Sequence, residues 1–198
     1  MPGNILRRLY DWVLSWAESP YGSWVLGSLA FAESSFFPVP PDVLLIALGV
    51  SKPKKAFRYG LICSLGSILG GMFGYFLGLK FFQLVGERIL RFYGVMNYYY
   101  RIQGLYQEYS AWAVGIAGFT PIPYKVFTIA AGAFEISFAI FLIASTVSRS
   151  ARFFLVSALI WKFGERIRVL LDKYFNLATI IFAALLVGGF LIIKYLIK

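Results

Sequence analysis

The amino-acid sequence predicts an all-α membrane protein: an inverted repeat of a re-entrant helical hairpin plus a transmembrane helix, with an N-terminal amphipathic helix and a C-terminal transmembrane helix. Two observations carry most of this expectation. Of the 198 residues, 60% are hydrophobic and only 14% are charged, against roughly a quarter charged in soluble domains. Within that apolar background, Pro38-Val39-Pro40-Pro41-Asp42-Val43-Leu44-Leu45-Ile46-Ala47-Leu48-Gly49 returns 83 residues later as Pro121-Ile122-Pro123-Tyr124-Lys125-Val126-Phe127-Thr128-Ile129-Ala130-Ala131-Gly132. The copies share two prolines and differ most where Asp42 corresponds to Lys125. A proline break repeated once per half-chain marks a transporter-like architecture of two repeats around a midplane site.

The bulk numbers narrow the class further. A net charge of +10 could suggest nucleic acid, but the lysines and arginines sit at the ends of apolar runs. There they act as topology signals and contacts to anionic headgroups, and no basic stripe or recognition motif for nucleic acid is present. The single cysteine, Cys63, leaves no intramolecular disulfide, and the absence of histidine removes the commonest zinc ligand. Chemistry that needs a histidine base is excluded, and no metal, cofactor or enzyme activity is expected. No polar linker divides the chain, so one domain of two related halves is expected over 1–198.

Residues 1–20 place Ile5, Leu6, Leu9, Trp12, Val13 and Trp16 on one helical face and Arg7, Arg8, Asp11 and Ser15 on the other, the pattern of an amphipathic helix. It lies at the interface or packs on the protein's own spans; it lacks the unbroken apolar core of a signal peptide. The first repeat covers 21–79. Its apolar start holds Glu33 and Asp42, and Pro38, Pro40 and Pro41 stop any single helix from running through. Non-helical backbone at membrane depth survives only where protein or water satisfies it. A re-entrant loop is therefore expected at about 31–49, with one half-helix ending near Phe36 and a second starting near Pro41; a span with a proline kink is the simpler alternative.

The loop at 51–58 holds Lys52, Lys54, Lys55 and Arg58, which marks its side as cytoplasmic. A clear span follows at about 59–79, where Gly66, Gly70, Gly74 and Gly78 recur every fourth residue and form a packing ridge. Residues 80–109 are polar and tyrosine-rich, with Tyr93, Tyr98, Tyr99, Tyr100, Tyr106 and Tyr109; short helices at headgroup level are expected. The second repeat, 110–162, has its re-entrant loop at about 118–134, with Pro121 and Pro123 at the tip, and a span at about 136–161. A basic loop at 162–173 and a last apolar helix at 174–196 complete the chain. Gly-Glu-Arg-Ile occurs at 86–89 and again at 164–167, in near phase with the main repeat. One full span between the two proline breaks makes the hairpins enter from opposite faces.

Six ionisable residues fall at membrane depth: Glu33, Asp42, Lys125, Glu135, Arg149 and Arg152. Each costs at least about 2.5 kcal/mol there unless it is paired or wet. Glu135 lies near an interface, where it can snorkel. Lys125 opens the half-helix after Pro123, whose free N–H groups already favour an anion. With Arg149 and Arg152, three residues apart on one face, it makes an electropositive pocket suited to a lipid phosphate, while Glu33 and Asp42 are candidates for proton coupling. A structural alternative is an Asp42–Lys125 ion pair, with Arg149 and Arg152 held by Glu33.

At these residues a resemblance becomes specific. Phe-Ala-Glu-Ser-Ser-Phe-Phe-Pro-Val-Pro-Pro-Asp-Val-Leu-Leu-Ile at 31–46, the glycine-rich run at 66–78, Gly-Phe-Thr-Pro-Ile-Pro-Tyr-Lys-Val-Phe-Thr-Ile-Ala-Ala-Gly at 118–132 and Ser-Arg-Ser-Ala-Arg-Phe-Phe at 148–154 resemble the DedA family, also called the SNARE-associated or VTT-domain family. The nearest branch is the YqaA-like one. The resemblance covers most of residues 20–165 and implies a multi-pass protein of the bacterial inner membrane with two facing re-entrant loops. It is related to flippases for undecaprenyl phosphate and other phospholipids and to lipid scramblases, some of them proton-dependent. Glu33 and Asp42 match the family's acidic element. Where its second loop carries arginines, this chain has Gly118 and Tyr124, with Lys125 one position along.

The function expected is thus a flippase or scramblase for a lipid with an anionic phosphate head, with membrane lipids as partners and a homo-oligomer compatible with the sequence. A proton- or ion-coupled transporter of small solutes, or an assembly factor without transport, would use the same architecture.

Overall fold

The computed structural model describes Trp16 and residues 19–164 apart from 38, 121 and 122. The expected N-terminal amphipathic helix, the C-terminal transmembrane helix, the second Gly-Glu-Arg-Ile, and Pro38 and Pro121 at the loop tips lie outside the described residues. Every described element is helical. In chain order these are α1 (Gly22–Ser35), α2 (Asp42–Ser51), α3 (Ala56–Phe81), α4 (Glu87–Phe92), α5 (Met96–Glu108), α6 (Ser110–Phe119), α7 (Tyr124–Ala133) and α8 (Phe138–Phe163). A single turn at Pro53–Lys55 leads into α3, and a wider π-helical turn at Phe82–Gly86 joins α3 to α4.

Prolines and caps set the boundaries. α1 stops at Ser35, where the N–H groups of Phe36 and Phe37 both donate to the Ala32 carbonyl. α2 starts directly after Pro41, with Asp42 in its first turn, the end of a helix that favours a carboxylate. α7 ends at Ala133 and is followed by a turn at Glu135, the non-glycine residue with positive φ (53°) among those described. The N–H of Ile136 reaches back to Ala131, a helix stop that usually takes glycine at this point. The helices α2 and α3 recur as α7 and α8 with every boundary displaced by 82 residues. The internal repeat in sequence is thus matched by a repeat of helix boundaries.

At 26 residues each, α3 and α8 are about 39 Å long, enough to cross a hydrocarbon core of about 30 Å. Both are apolar enough to do so. The expected spans at 59–79 and 136–161 fall within three residues of these helices. By contrast α1, at 14 residues, and α2, α6 and α7, at 10 each, are too short.

The interior joins two apolar clusters, one around Leu26, Leu44, Leu45 and Phe153 and one around Tyr75, Tyr124 and Phe141, with a set of small polar residues, and large apolar side chains also cover the outside. Buried positions include Ser34, Ser35, Ser64, Ser67, Ser145, Ser148 and Ser157, while Leu61, Leu65, Leu69 and Phe73 form an exposed stripe along α3. Such a surface suits lipid. Glycines let the helices close: a Cβ on Gly70 would strike the Phe31 carbonyl of α1, and one on Gly78 the Ile129 carbonyl of α7. Gly66 meets Gly27 of α1, and Gly74 sits against Thr128 and the Ser34 carbonyl. One ridge therefore seats α1 along its first half and α7 along its second. Each long helix packs on the first short helix of its own half and on the second short helix of the other.

The tyrosine-rich connector clamps the second half. From α5, Tyr99 donates to the Ala133 carbonyl, Gln103 to Phe134 and Tyr106 to Phe127, so the exposed carbonyl end of α7 is capped from outside. Burial, with Glu135 nearby, pushes the Tyr99 phenol up to about 12, and burial also raises Tyr106. Both stay protonated donors at neutral pH.

Replacing Gly70 by Ala is expected to destabilise the fold by about 1–3 kcal/mol through overpacking. Gly115→Ala, where a Cβ would meet nothing within 4 Å, should be neutral or gain up to about 1 kcal/mol. Reversible unfolding in detergent micelles compares the two; equal stabilities would remove the ridge from its role.

Candidate functional site

The two proline breaks meet near the middle of both long helices, and five of the six ionisable residues expected at membrane depth gather there. Glu33 comes from the last turn of α1 and Asp42 from the first residue of α2, two positions held apart by Pro40 and Pro41. Lys125 is the second residue of α7, just after Pro123. Arg149 and Arg152 project from the centre of α8. Glu135 lies elsewhere, exposed at the turn between α7 and α8.

Arg149 is 3% exposed and tightly held. Its Nη2 donates to Glu33 Oε2 at 2.8 Å and to Ser34 Oγ at 3.3 Å, and its Nε donates to Ser67 Oγ. The guanidinium is also flanked by the rings of Tyr124, 4.7 Å to the centroid, and Phe153, 4.8 Å, an arrangement favourable for a desolvated cation. Ser34 and Ser67 bond each other at 2.7 Å, so α1, α3 and α8 are stitched through one guanidinium. Sequence reasoning missed these serines; the signal was two polar residues, Ser34 and Ser67, each beside a residue already singled out.

Arg152 is looser. Its Nη2 donates to Asp42 Oδ2 at 2.9 Å and its Nη1 to the Thr120 carbonyl at 2.8 Å. Its Nε is buried and has no hydrogen-bond partner among the described residues. Lys125 Nζ donates to the Phe37 carbonyl at 3.1 Å, and Thr128 Oγ1 reaches the Ser34 carbonyl at 3.2 Å. The Asp42–Lys125 pair of the structural alternative is therefore absent among the described residues: Asp42 turns to Arg152, and Lys125 caps the opposite loop. Both acids face arginines of α8, which have no basic counterpart in the first repeat, where Ser67 and Gly70 stand at the 82-residue displacement.

Chemically, this is a site of matched charges with a surplus cation and a spare donor at a break between helices. With no histidine in the chain and no cluster of metal-ligating residues among those described, it offers charge and donors. A helical, lipid-facing shell around a charged centre defines a helical membrane protein with an internal polar site. The sequence profile of the VTT domain matches residues 39–162, and the chain belongs to this family, the DedA family. An uncharacterized protein of Haemophilus influenzae is 34% identical over 191 residues, 96% of this chain and 99% of that one. Uncharacterized relatives in Histophilus somni (34% over 169 residues, 83% of this chain and 88% of that one) and Methanocaldococcus jannaschii (28% over 143 residues, 67% and 79%) are similar too. No solved structure matches at a significant level.

Arg149→Ala would leave Glu33 unpaired in the interior and is expected to cost about 3–5 kcal/mol, whereas the double replacement Glu33→Leu with Arg149→Met should recover most of that loss. A double-mutant cycle by unfolding in micelles checks this; a loss under about 1 kcal/mol for R149A would show that the pair does not anchor the three helices.

Proposed function

We propose that the protein is a lipid flippase or scramblase that moves a lipid with an anionic phosphate head across the bilayer. The observation that carries this reading is the surplus of donors at the break: among the described residues, Arg152 Nε has no partner and Lys125 is bound only to a carbonyl. In this reading the pairs α1–α2 and α6–α7 are re-entrant hairpins entering from opposite faces of the bacterial inner membrane. The 82-residue repeat of helix boundaries and the shortness of all four helices support it.

The headgroup enters between the loop tips while its tails stay in the bilayer. A phosphate oxygen is received first by Arg152 Nε, which breaks no existing bond, and then by Lys125. Arg149 serves as the anchor against which the site is built and is the last of the three cations to be reached. A proton on Asp42 would remove the carboxylate that competes with phosphate for Arg152; a proton on Glu33 would loosen α1 from α8. Either changes the relative stability of two arrangements of the same hairpins, which is how a proton gradient could bias direction.

Reconstituted in liposomes and compared at equal amounts of folded protein, Arg152→Ala and Lys125→Ala should slow transbilayer movement of a labelled anionic lipid by about tenfold or more, the loss of one charged hydrogen bond. Asp42→Asn should shift the pH dependence of the rate. Unchanged lipid movement in all three variants would sink the site, and residue-dependent uptake of a small solute without lipid movement would replace lipid by solute as the substrate.

A further inference from the structure

The end of the molecule away from the proline breaks carries a second charged feature that transport through the centre does not use. The start of α1, the end of α2 and the first turn of α3 enclose a cavity of about 210 Å3. Into its wall are set Lys52, Lys55 and Arg58 with the hydroxyl residues Ser19, Ser23 and Tyr59. No carboxylate among the described residues lines it, and none of the three cations forms a side-chain ion pair or hydrogen bond among the described residues. Tyr59 is 4% exposed, yet its hydroxyl has no hydrogen-bond partner among the described residues.

Each of these facts points to an anion. Three like charges facing one space repel one another, and a counter-charge between them relieves that repulsion. The Tyr59 ring is buried while its hydroxyl is not among the fully enclosed polar atoms; it lines the cavity, where an acceptor would receive its hydrogen bond. The volume is several times the roughly 30 Å3 share of one water, and two ammoniums, one guanidinium and three hydroxyls suit a multiply charged tetrahedral oxyanion.

We infer that this cavity is a second phosphate-binding site, at the membrane surface. From Arg58 to Ser67 is about 13 Å along α3, so one phosphate cannot occupy this cavity and the Arg149–Arg152 centre together. The ligand chemistry is a phosphate anion, carried by a lipid headgroup or free in solution. Outward-facing Trp24, Phe57 and Leu61 on the same two helices provide an apolar surface for acyl chains. Occupancy would tie α1, α2 and α3 together at their shared end. The inference does not rest on lipid transport.

The test uses the full-length protein in phosphate-free nonionic detergent, titrated calorimetrically with dihexanoyl phosphatidic acid and, separately, with inorganic phosphate. The double variant Lys55→Gln with Arg58→Gln should bind about tenfold or more weakly, given about 1 kcal/mol per basic residue at such a surface. Tyr59→Phe should weaken binding a few-fold, and the control Arg88→Gln with Arg101→Gln, two exposed cations outside the cavity, should match the parent. Binding of the lipid alone assigns a headgroup; equal binding of both probes assigns a free phosphate anion. Unchanged affinity for both probes in K55Q/R58Q, or an equal loss in R88Q/R101Q, overturns the site.

Discussion

A helix broken inside a tightly packed, apolar body leaves carbonyl groups with no partner and no water to supply one, and the rest of this structure follows from how those carbonyls are satisfied. Both breaks are satisfied by side chains from elsewhere in the fold. Lys125 of α7 caps the Phe37 carbonyl and Thr128 caps Ser34, so the second hairpin closes the first. Arg152 of α8 caps Thr120 and also reaches Asp42 at the start of α2. Ser35 donates to the Gly70 carbonyl of α3. Neither hairpin is complete without the other half of the chain, which is why two short, separately unstable helix pairs persist here.

Such mutual capping works only at short range, and this explains the small residues. A lysine or threonine side chain reaches a carbonyl on another helix only if the backbones come close. The glycines of α3 and the serines of α1, α3 and α8 permit that approach. Much side-chain bulk is instead turned outward, where lipid accepts it. The interior therefore combines two apolar clusters with a seam of buried serines and glycines, along which close backbone contact and hydrogen bonds hold the helices together.

Much of this was legible in the sequence. The duplicated proline break, the four-residue glycine period and the charges inside apolar runs each correspond to a single physical need that only a few residue types meet. The choice of partners was not. Asp42 and Lys125 occupy equivalent positions of the two copies, and a one-dimensional alignment sets them face to face; in space the pairing depends on the rotation of α8, which turns Arg149 and Arg152 toward the first hairpin. The connector was half legible: its tyrosines signalled an interface, but their hydroxyls cap α7, a role fixed by a turn whose geometry has no sequence period.

The asymmetry between the halves bears most directly on mechanism. The two long helices have the same length and phase, yet only α8 carries arginines near its middle, and it holds one acid from each side of the first proline break. Arg149 spends its donors on Glu33, Ser34 and Ser67 and lies between two rings, so an incoming anion would have to displace a whole set of partners. Arg152 sits in a shallower pair with one donor unused, and a buried unmet donor costs about 1–3 kcal/mol. In the proposed cycle, that cost is what a phosphate oxygen relieves on arrival. Once Arg152 turns from Asp42 and Thr120 to the phosphate, the start of α2 and the end of α6 lose their shared clasp together. Binding and opening would then be one event, because the group that recognises the ligand is the group that holds the two loops shut.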